Sequence, residues 1–161
     1  MEVKIKLNGG IMPKKATDGS AAYDLYVPDD VIFTRGIRKV IDLKFSMEIP
    51  KGYAATIQPR SGFSAKGMEV EVFDTYPFDD EVTEEKRIDA DVIRGLIDSD
   101  YRGSVGVIIK INEMHDEIRF KKGTRIAQMQ IVEVPQVELV EVEELSDTDR
   151  GEGGFGHTGA R

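Results

Sequence analysis

The sequence contains no cysteine and only two histidines, His115 and His157. Disulfides, thiolate zinc sites and cysteine nucleophiles are thereby excluded. Two histidines are too few for a histidine-built metal cage. No apolar run approaches the ~18 residues of a membrane span. Met1 to Leu7 alternates charge with apolarity, unlike a signal peptide. These absences predict a cytoplasmic protein with no membrane association. Helical periodicity is also scarce, because no window carries a 3.6-residue apolar stripe longer than two turns. At 161 residues the chain fits one domain that needs no covalent staple to hold a core.

Charge is present but uneven. Lys and Arg number 22 against 30 Asp and Glu, a net charge of −8. Residues 69–91 hold ten acids and two bases, so this one segment accounts for the whole excess. A neutral body with an acidic segment is a poor nonspecific binder of duplex DNA, which needs a basic surface. A small phosphorylated ligand needs only two or three well-placed cations and stays compatible with this balance.

What the sequence does contain is β pattern. Half-buried alternation appears at Val3 to Leu7, Val40 to Met47 and Val137 to Val142. Val105 to Ile111 and Ile126 to Val132 are more continuously apolar and are predicted as central strands. Asn8-Gly9-Gly10, Pro28-Asp29-Asp30, Pro50-Lys51-Gly52 and Lys121-Lys122-Gly123 supply turns. Many short strands with frequent turns predict a sandwich or barrel. Ser61 to Lys66 is the one predicted helix. The expected organisation is a β domain over residues 1–145, with an acidic surface loop or hairpin at about 73–90, and a mobile glycine-rich tail over 146–161.

Five segments carry chemical content. Pro59-Arg60-Ser61-Gly62 follows a predicted strand and offers a guanidinium, a hydroxyl and free N–H groups to a phosphate; it is equally a strand-to-helix turn with a serine cap. Gly95 to Gly103 places Asp98, Asp100, Tyr101 and Arg102 between two apolar strands. If extended, Asp98 and Asp100 share a face. A carboxylate there can deprotonate a water beside a phosphate, although Asp-Tyr-Arg-Gly also suits an ordinary turn. Arg150 to Gly159 holds Phe155 with no local core to join, as a ring waiting for a planar ligand or as a stray in a disordered end. Gln128 lies in an apolar strand and must find partners. Asp24 does too, either for a structural hydrogen bond or to help hold a hydrated Mg²⁺.

The order and spacing of these segments together resemble the trimeric dUTPase family over nearly the whole chain. All five motifs are present: around Asp24; Pro59 to Gly62 with Lys66; Gly95 to Gly103; Arg125 to Gln128; and Arg150 to Gly159. The resemblance implies an all-β jelly-roll subunit of β-clip type and a homotrimer whose three active sites lie at subunit boundaries. It implies hydrolysis of dUTP to dUMP and pyrophosphate, which limits uracil in DNA and supplies dUMP for dTMP synthesis.

It also assigns roles. Asp98 is implied as the activator of water. Arg60, Ser61, Gly62 and Gln128 are implied as phosphate-binding, joined by Arg150, Gly156, His157 and Thr158 of the tail. Tyr101 is implied against the deoxyribose, Phe155 against the uracil, and Val92, Leu96, Ile97 and Gly106 around the base. Asp24 is implied as reaching Mg²⁺ through water. His157 stands where many members have serine, so its role would depend on pH. The acidic stretch lengthens the chain between Lys66 and Asp98 and is expected to be a solvated appendage, available to a protein partner. Two alternatives stay open: deamination of dCTP on the same fold, and a regulatory protein-binding module.

Overall fold

The computed structural model describes residues 1–34, 38–75 and 81–153. Among them run thirteen strands and one helix: β1 (Lys4–Leu7), β2 (Tyr23–Tyr26), β3 (Val31–Thr34), β4 (Arg38–Asp42), β5 (Phe45–Glu48), β6 (Tyr53–Gln58), α1 (Ser61–Lys66), β7 (Met68–Thr75), β8 (Glu81–Ile88), β9 (Ala90–Ile93), β10 (Gly95–Ile97), β11 (Gly106–Ile111), β12 (Glu117–Phe120) and β13 (Arg125–Glu133). The predicted all-β class is what the chain adopts. The one predicted helix is there with the predicted bounds. No helix of the described residues is long and apolar enough to cross a membrane.

The strands form four small sheets in the orders β1-β5, β10-β6-β13-β2, β4-β11-β9 and β3-β12-β7-β8. Neighbours are mostly distant in sequence, as crossing connections of a jelly roll require. The two most apolar runs are internal strands, β11 and β13. Alternation drives β11 inward at Val107, Ile109 and Ile111, while β13 buries Ile126, Ala127 and Met129. These side chains meet Leu25, Ile41, Phe45, Ile57 and Phe120 in one core. Phe33 and Phe120 pack ring against ring across β3 and β12, with centroids 5.3 Å apart.

Three sequence expectations are corrected. Val40 to Met47 is not one strand: Lys44 turns into the left-handed region at φ 54, and β4 and β5 enter different sheets. Asp42 caps the break by accepting the Lys44 N–H at 2.8 Å. Val137 to Val142 pairs with no strand among the described residues, and Val137, Leu139 and Val140 are 75%, 93% and 69% exposed. Alternation there marks a segment fit for a β partner that the described residues do not provide.

The third concerns the acidic segment. It is a hairpin, as one of the two expected forms, but its base is no appendage. β7 pairs with β8 on one side and with β12 on the other. Met68, Val70, Val72 and Ile88 lie in the core.

Candidate active site

Two clusters gather most of the residues singled out from sequence. The first forms where β2, β6 and β13 lie side by side. Register places Gln128 opposite both Asp24 and Gln58. β6 then leaves the sheet through Pro59 and Arg60 into α1. Arg60 is the cap position but makes no side-chain cap; its own carbonyl accepts the Ser64 hydroxyl at 3.3 Å. Phe63 is buried and anchors the helix, which leaves Ser61 and Gly62 exposed.

Asp24 organises this cluster. It is the one buried charged residue among those described, 7% exposed. Its Oδ1 accepts Arg60 Nε at 2.8 Å and its Oδ2 accepts Arg125 Nη1 at 3.3 Å. A buried carboxylate is tolerable only when so matched. The structural hydrogen bonds expected of Asp24 are therefore present, and each oxygen keeps a further lone pair. Gln128 Nε2 donates to the Pro59 carbonyl at 3.0 Å, which satisfies the half-buried amide and steadies the turn. Beside this turn opens a cleft of about 410 Å³ lined by Arg60, Gly62, Lys66 and Arg125. Sequence reasoning took Arg125 as part of a turn into a strand. Its pairing with Asp24 is a long-range contact for which the local sequence carries no signal.

The second cluster is the hairpin after β10. Asp98 does not continue the strand. The Tyr101 N–H donates to the Asp98 carbonyl at 3.2 Å, so residues 98–101 turn, and the shared face expected of Asp98 and Asp100 does not apply. Arg102 Nη1 donates to the carbonyls of Ser99 at 2.7 Å and Tyr101 at 2.9 Å. The Tyr101 hydroxyl donates to the Ser104 carbonyl at 3.1 Å, folding the ring over Gly103, where any Cβ would stand 2.3 Å from that hydroxyl. Ser104 in turn donates to Asp42, and this hydroxyl, with the Lys44 N–H, holds the Asp42 carboxyl below its ordinary range.

Asp98, Tyr101 and Leu96 are exposed on this hairpin, whereas Val92 and Ile97 point into the core at 7% exposure each. Gly106 sits against β4, where a Cβ would stand 2.8 Å from Val40 Cγ1.

One chain does not join the two clusters. β10 runs away from Arg60, since Gly95 pairs with Ile57 and Ile97 with Ala55, so the hairpin that carries Asp98 leaves β6 on the side opposite to Pro59 and Arg60. From Ala55 to Gln58, where β6 ends, is roughly 10 Å of strand at about 3.3 Å per residue, before the turn to Arg60. Arg150 is exposed and donates locally to the Gly153 carbonyl at 2.8 Å. Phe155, Gly156, His157 and Thr158 lie outside the described residues.

A dUTPase family model matches residues 8–79 and 84–159, which includes both clusters and omits four residues of the acidic segment. The chain belongs to the dUTPase family. It is 42% identical over 161 residues to the deoxyuridine 5'-triphosphate nucleotidohydrolase of Nautilia profundicola, with 99% of each chain covered. It is 38% identical over 149 residues to that of Monkeypox virus, covering 92% of this chain and 83% of the relative. Among solved structures it resembles the dUTPase of Staphylococcus bacteriophage 80alpha with dUpNHpp, at 26% identity and a TM-score of 0.76, covering 98% of both chains. dUTPase-family chains are enzymes, hydrolases of nucleotide metabolism, and neither dCTP deamination nor a pure binding module is favoured by these likenesses.

Proposed function

We propose that this chain hydrolyses dUTP to dUMP and pyrophosphate at sites shared between copies of a homotrimer in the cytoplasm. The observation that carries this reading is Asp24 holding Arg60 and Arg125 beside the cleft. Fixed guanidiniums there neutralise and align a triphosphate without reorganising, which is most of what phosphoryl chemistry asks of a protein.

Asp98 then takes a proton from a water. The water oxygen bonds to the α-phosphorus, the bond from that phosphorus to the bridging oxygen breaks, and pyrophosphate leaves with the electron pair. Arg60, Ser61, Gly62 and Gln128 bind the phosphates from the first cluster. Tyr101, held over Gly103 by its bond to Ser104, presents a ring face to the deoxyribose. Backbone groups near Val92, Leu96, Ile97 and Gly106 select uracil, because a base that leaves buried donors or acceptors unpaired is rejected strongly. From the tail, Arg150, Gly156, His157 and Thr158 clamp the γ-phosphate and Phe155 stacks on the base, closing over triphosphate and excluding bulk water.

Mg²⁺ suits the donor set only as a substrate-borne ion. No group of three His, Cys, Asp or Glu able to cage a metal occurs among the described residues. Asp24 keeps lone pairs free to meet the ion through water, and Mg²⁺ ordinarily retains waters and takes the rest of its shell from phosphates. Bound in that way it would neutralise phosphate charge.

The test is pyrophosphate release with Mg²⁺ from dUTP, dCTP, dTTP and UTP by wild type and Asp98→Asn. Release from dUTP alone, lowered at least about a thousandfold by the substitution, is expected. Ammonia release from dCTP, or no turnover by folded protein, would refute the reading.

A further inference from the structure

The cleft beside Arg60 has a wall that the family motifs do not supply. Arg87, near the end of β8, lines it together with Lys66, Gly67 and Glu69. We propose that Arg87 is a further polyphosphate-binding residue, contributed by the acidic hairpin to the outer phosphates of the nucleotide. The proposal rests on the dUTP-hydrolysing reading for its substrate, and on the following geometry for its residue.

Charge accounting comes first. Four cations line the cleft: Arg60, Lys66, Arg87 and Arg125. Arg60 and Arg125 are already matched in part by Asp24. Among the described residues Lys66 makes no ion pair and Arg87 pairs only with Glu69, whose side chain is 71% exposed. An exposed pair of this kind holds its partners loosely. A guanidinium has five N–H donors, so a phosphate can share it with Glu69 or displace that carboxylate. The space, about 410 Å³, lies within the range of small-ligand pockets.

Placement is the second argument. Gly67 ends α1 at φ 79, and a Cβ there would stand 2.6 Å from the Ile88 carbonyl oxygen and 3.5 Å from Arg87 Cβ. Met68 pairs with Ile88 and Glu69 with Arg87 in the β7–β8 ladder. The turn that carries Arg60 and Lys66 is thus packed directly against the strand end that carries Arg87. The acidic segment has only two bases, Lys86 and Arg87. Lys86 turns to Glu113 at 3.5 Å, and Arg87 turns to the cleft. A segment that would otherwise repel triphosphate therefore presents a cation at the point where it meets the site.

A control lies next door. Lys121 lines an adjacent groove of about 340 Å³ that also reaches Arg87. There Lys121 is bound to Glu71 at 2.8 Å and Glu85 at 2.6 Å, which raises its pKa and commits its charge.

The experiment titrates inorganic tripolyphosphate into the full-length protein by calorimetry and measures dUTP turnover and dUMP inhibition in parallel. Wild type, Arg87→Gln, Arg87→Lys, Glu69→Gln and Lys121→Gln are compared. Arg87→Gln is expected to weaken tripolyphosphate and raise the KM for dUTP about tenfold, the worth of one charged hydrogen bond. Its kcat and its dUMP inhibition should stay within about threefold, since dUMP has no outer phosphate. Arg87→Lys should recover part of the loss. Glu69→Gln should tighten tripolyphosphate, and Lys121→Gln should match wild type. Unchanged tripolyphosphate affinity in Arg87→Gln would overturn the proposal, as would an equal loss for dUMP. A wild type that releases no pyrophosphate from dUTP would sink the substrate reading alone, and the tripolyphosphate titration would still decide Arg87.

Discussion

At the scale of single residues, Gly67 shows how a position without chemistry can set chemistry. Its φ of 79 belongs to the left-handed side that side chains avoid, and the space for a Cβ is taken by a backbone carbonyl. Neither obstacle can relax by a rotamer change. Gly67→Ala should therefore cost about 1–3 kcal/mol from the backbone alone, read as a lower urea midpoint. Because α1 must shift from Ile88 to relieve the clash, the KM for dUTP should rise as well. Gly62→Ala, where a Cβ meets nothing within 4 Å in the free chain, should keep wild-type stability. The same contrast explains what could be read early. Asp24, Arg60, Asp98 and Gln128 stood out because each is a polar residue in an apolar or turn setting. Arg125 and Arg87 did not, because an arginine beside a turn or among acids is unremarkable until the fold brings it to a cleft.

At the scale of elements, period-2 alternation found β1 and the run that holds β4 and β5, and continuous apolarity found β11 and β13, but neither said what a strand pairs with. Lys44 ended one run early by a local backbone turn, and Val137 to Val142 kept the pattern with no partner strand among the described residues. The acidic hairpin was read as charge and not as packing, although Val70 and Val72 alternate with Glu69 and Glu71 as on a half-buried strand.

His115 fixes that hairpin to the body. Its side chain is 8% exposed, with Nδ1 2.9 Å from Asp74 of β7 and Nε2 3.2 Å from Glu113. Asp74 also accepts the Asp116 N–H, Glu113 accepts the Asp89 N–H at 2.6 Å, and Lys86 of β8 lies 3.5 Å from Glu113. The histidine contact lowers the Asp74 carboxyl below its ordinary 3.8, and the Asp89 N–H is the main cause lowering Glu113 below 4.5. A lowered carboxyl pKa stabilises the fold above its unfolded value and loses that contribution as pH falls through the folded one. The urea midpoint should thus fall as pH drops from about 5 towards 3. In His115→Gln Asp74 returns towards its ordinary value, and the fall should be shallower. An identical slope in both proteins would show that the clasp is not linked to folding.

At the scale of the whole molecule, the separation of the two clusters becomes an argument about assembly. The hairpin carrying Asp98 leaves β6 away from Arg60, with roughly 10 Å of strand between Ala55 and Gln58 alone, which keeps that carboxylate from a water beside a phosphate held by the other cluster. Closing that distance inside a chain would mean breaking the β6–β10 and β6–β13 ladders. Bringing a second copy alongside breaks nothing, and the chain leaves apolar side chains exposed at Val137, Leu139, Val140 and Leu145, the kind of surface an interface takes up. Complementation separates the two cases. Asp98→Asn and Arg60→Gln chains, each expected to be nearly inactive alone, are co-expressed in equal amounts. If Asp98 and Arg60 of a site come from different chains, random assembly leaves about a quarter of sites with both native residues, and activity should recover towards that fraction. If each site takes both from one chain, no mixed assembly restores a site and the mixture stays as inactive as its parts. Recovery would also explain why the two motifs had to be read as one site from sequence, while the fold of a single chain holds them apart.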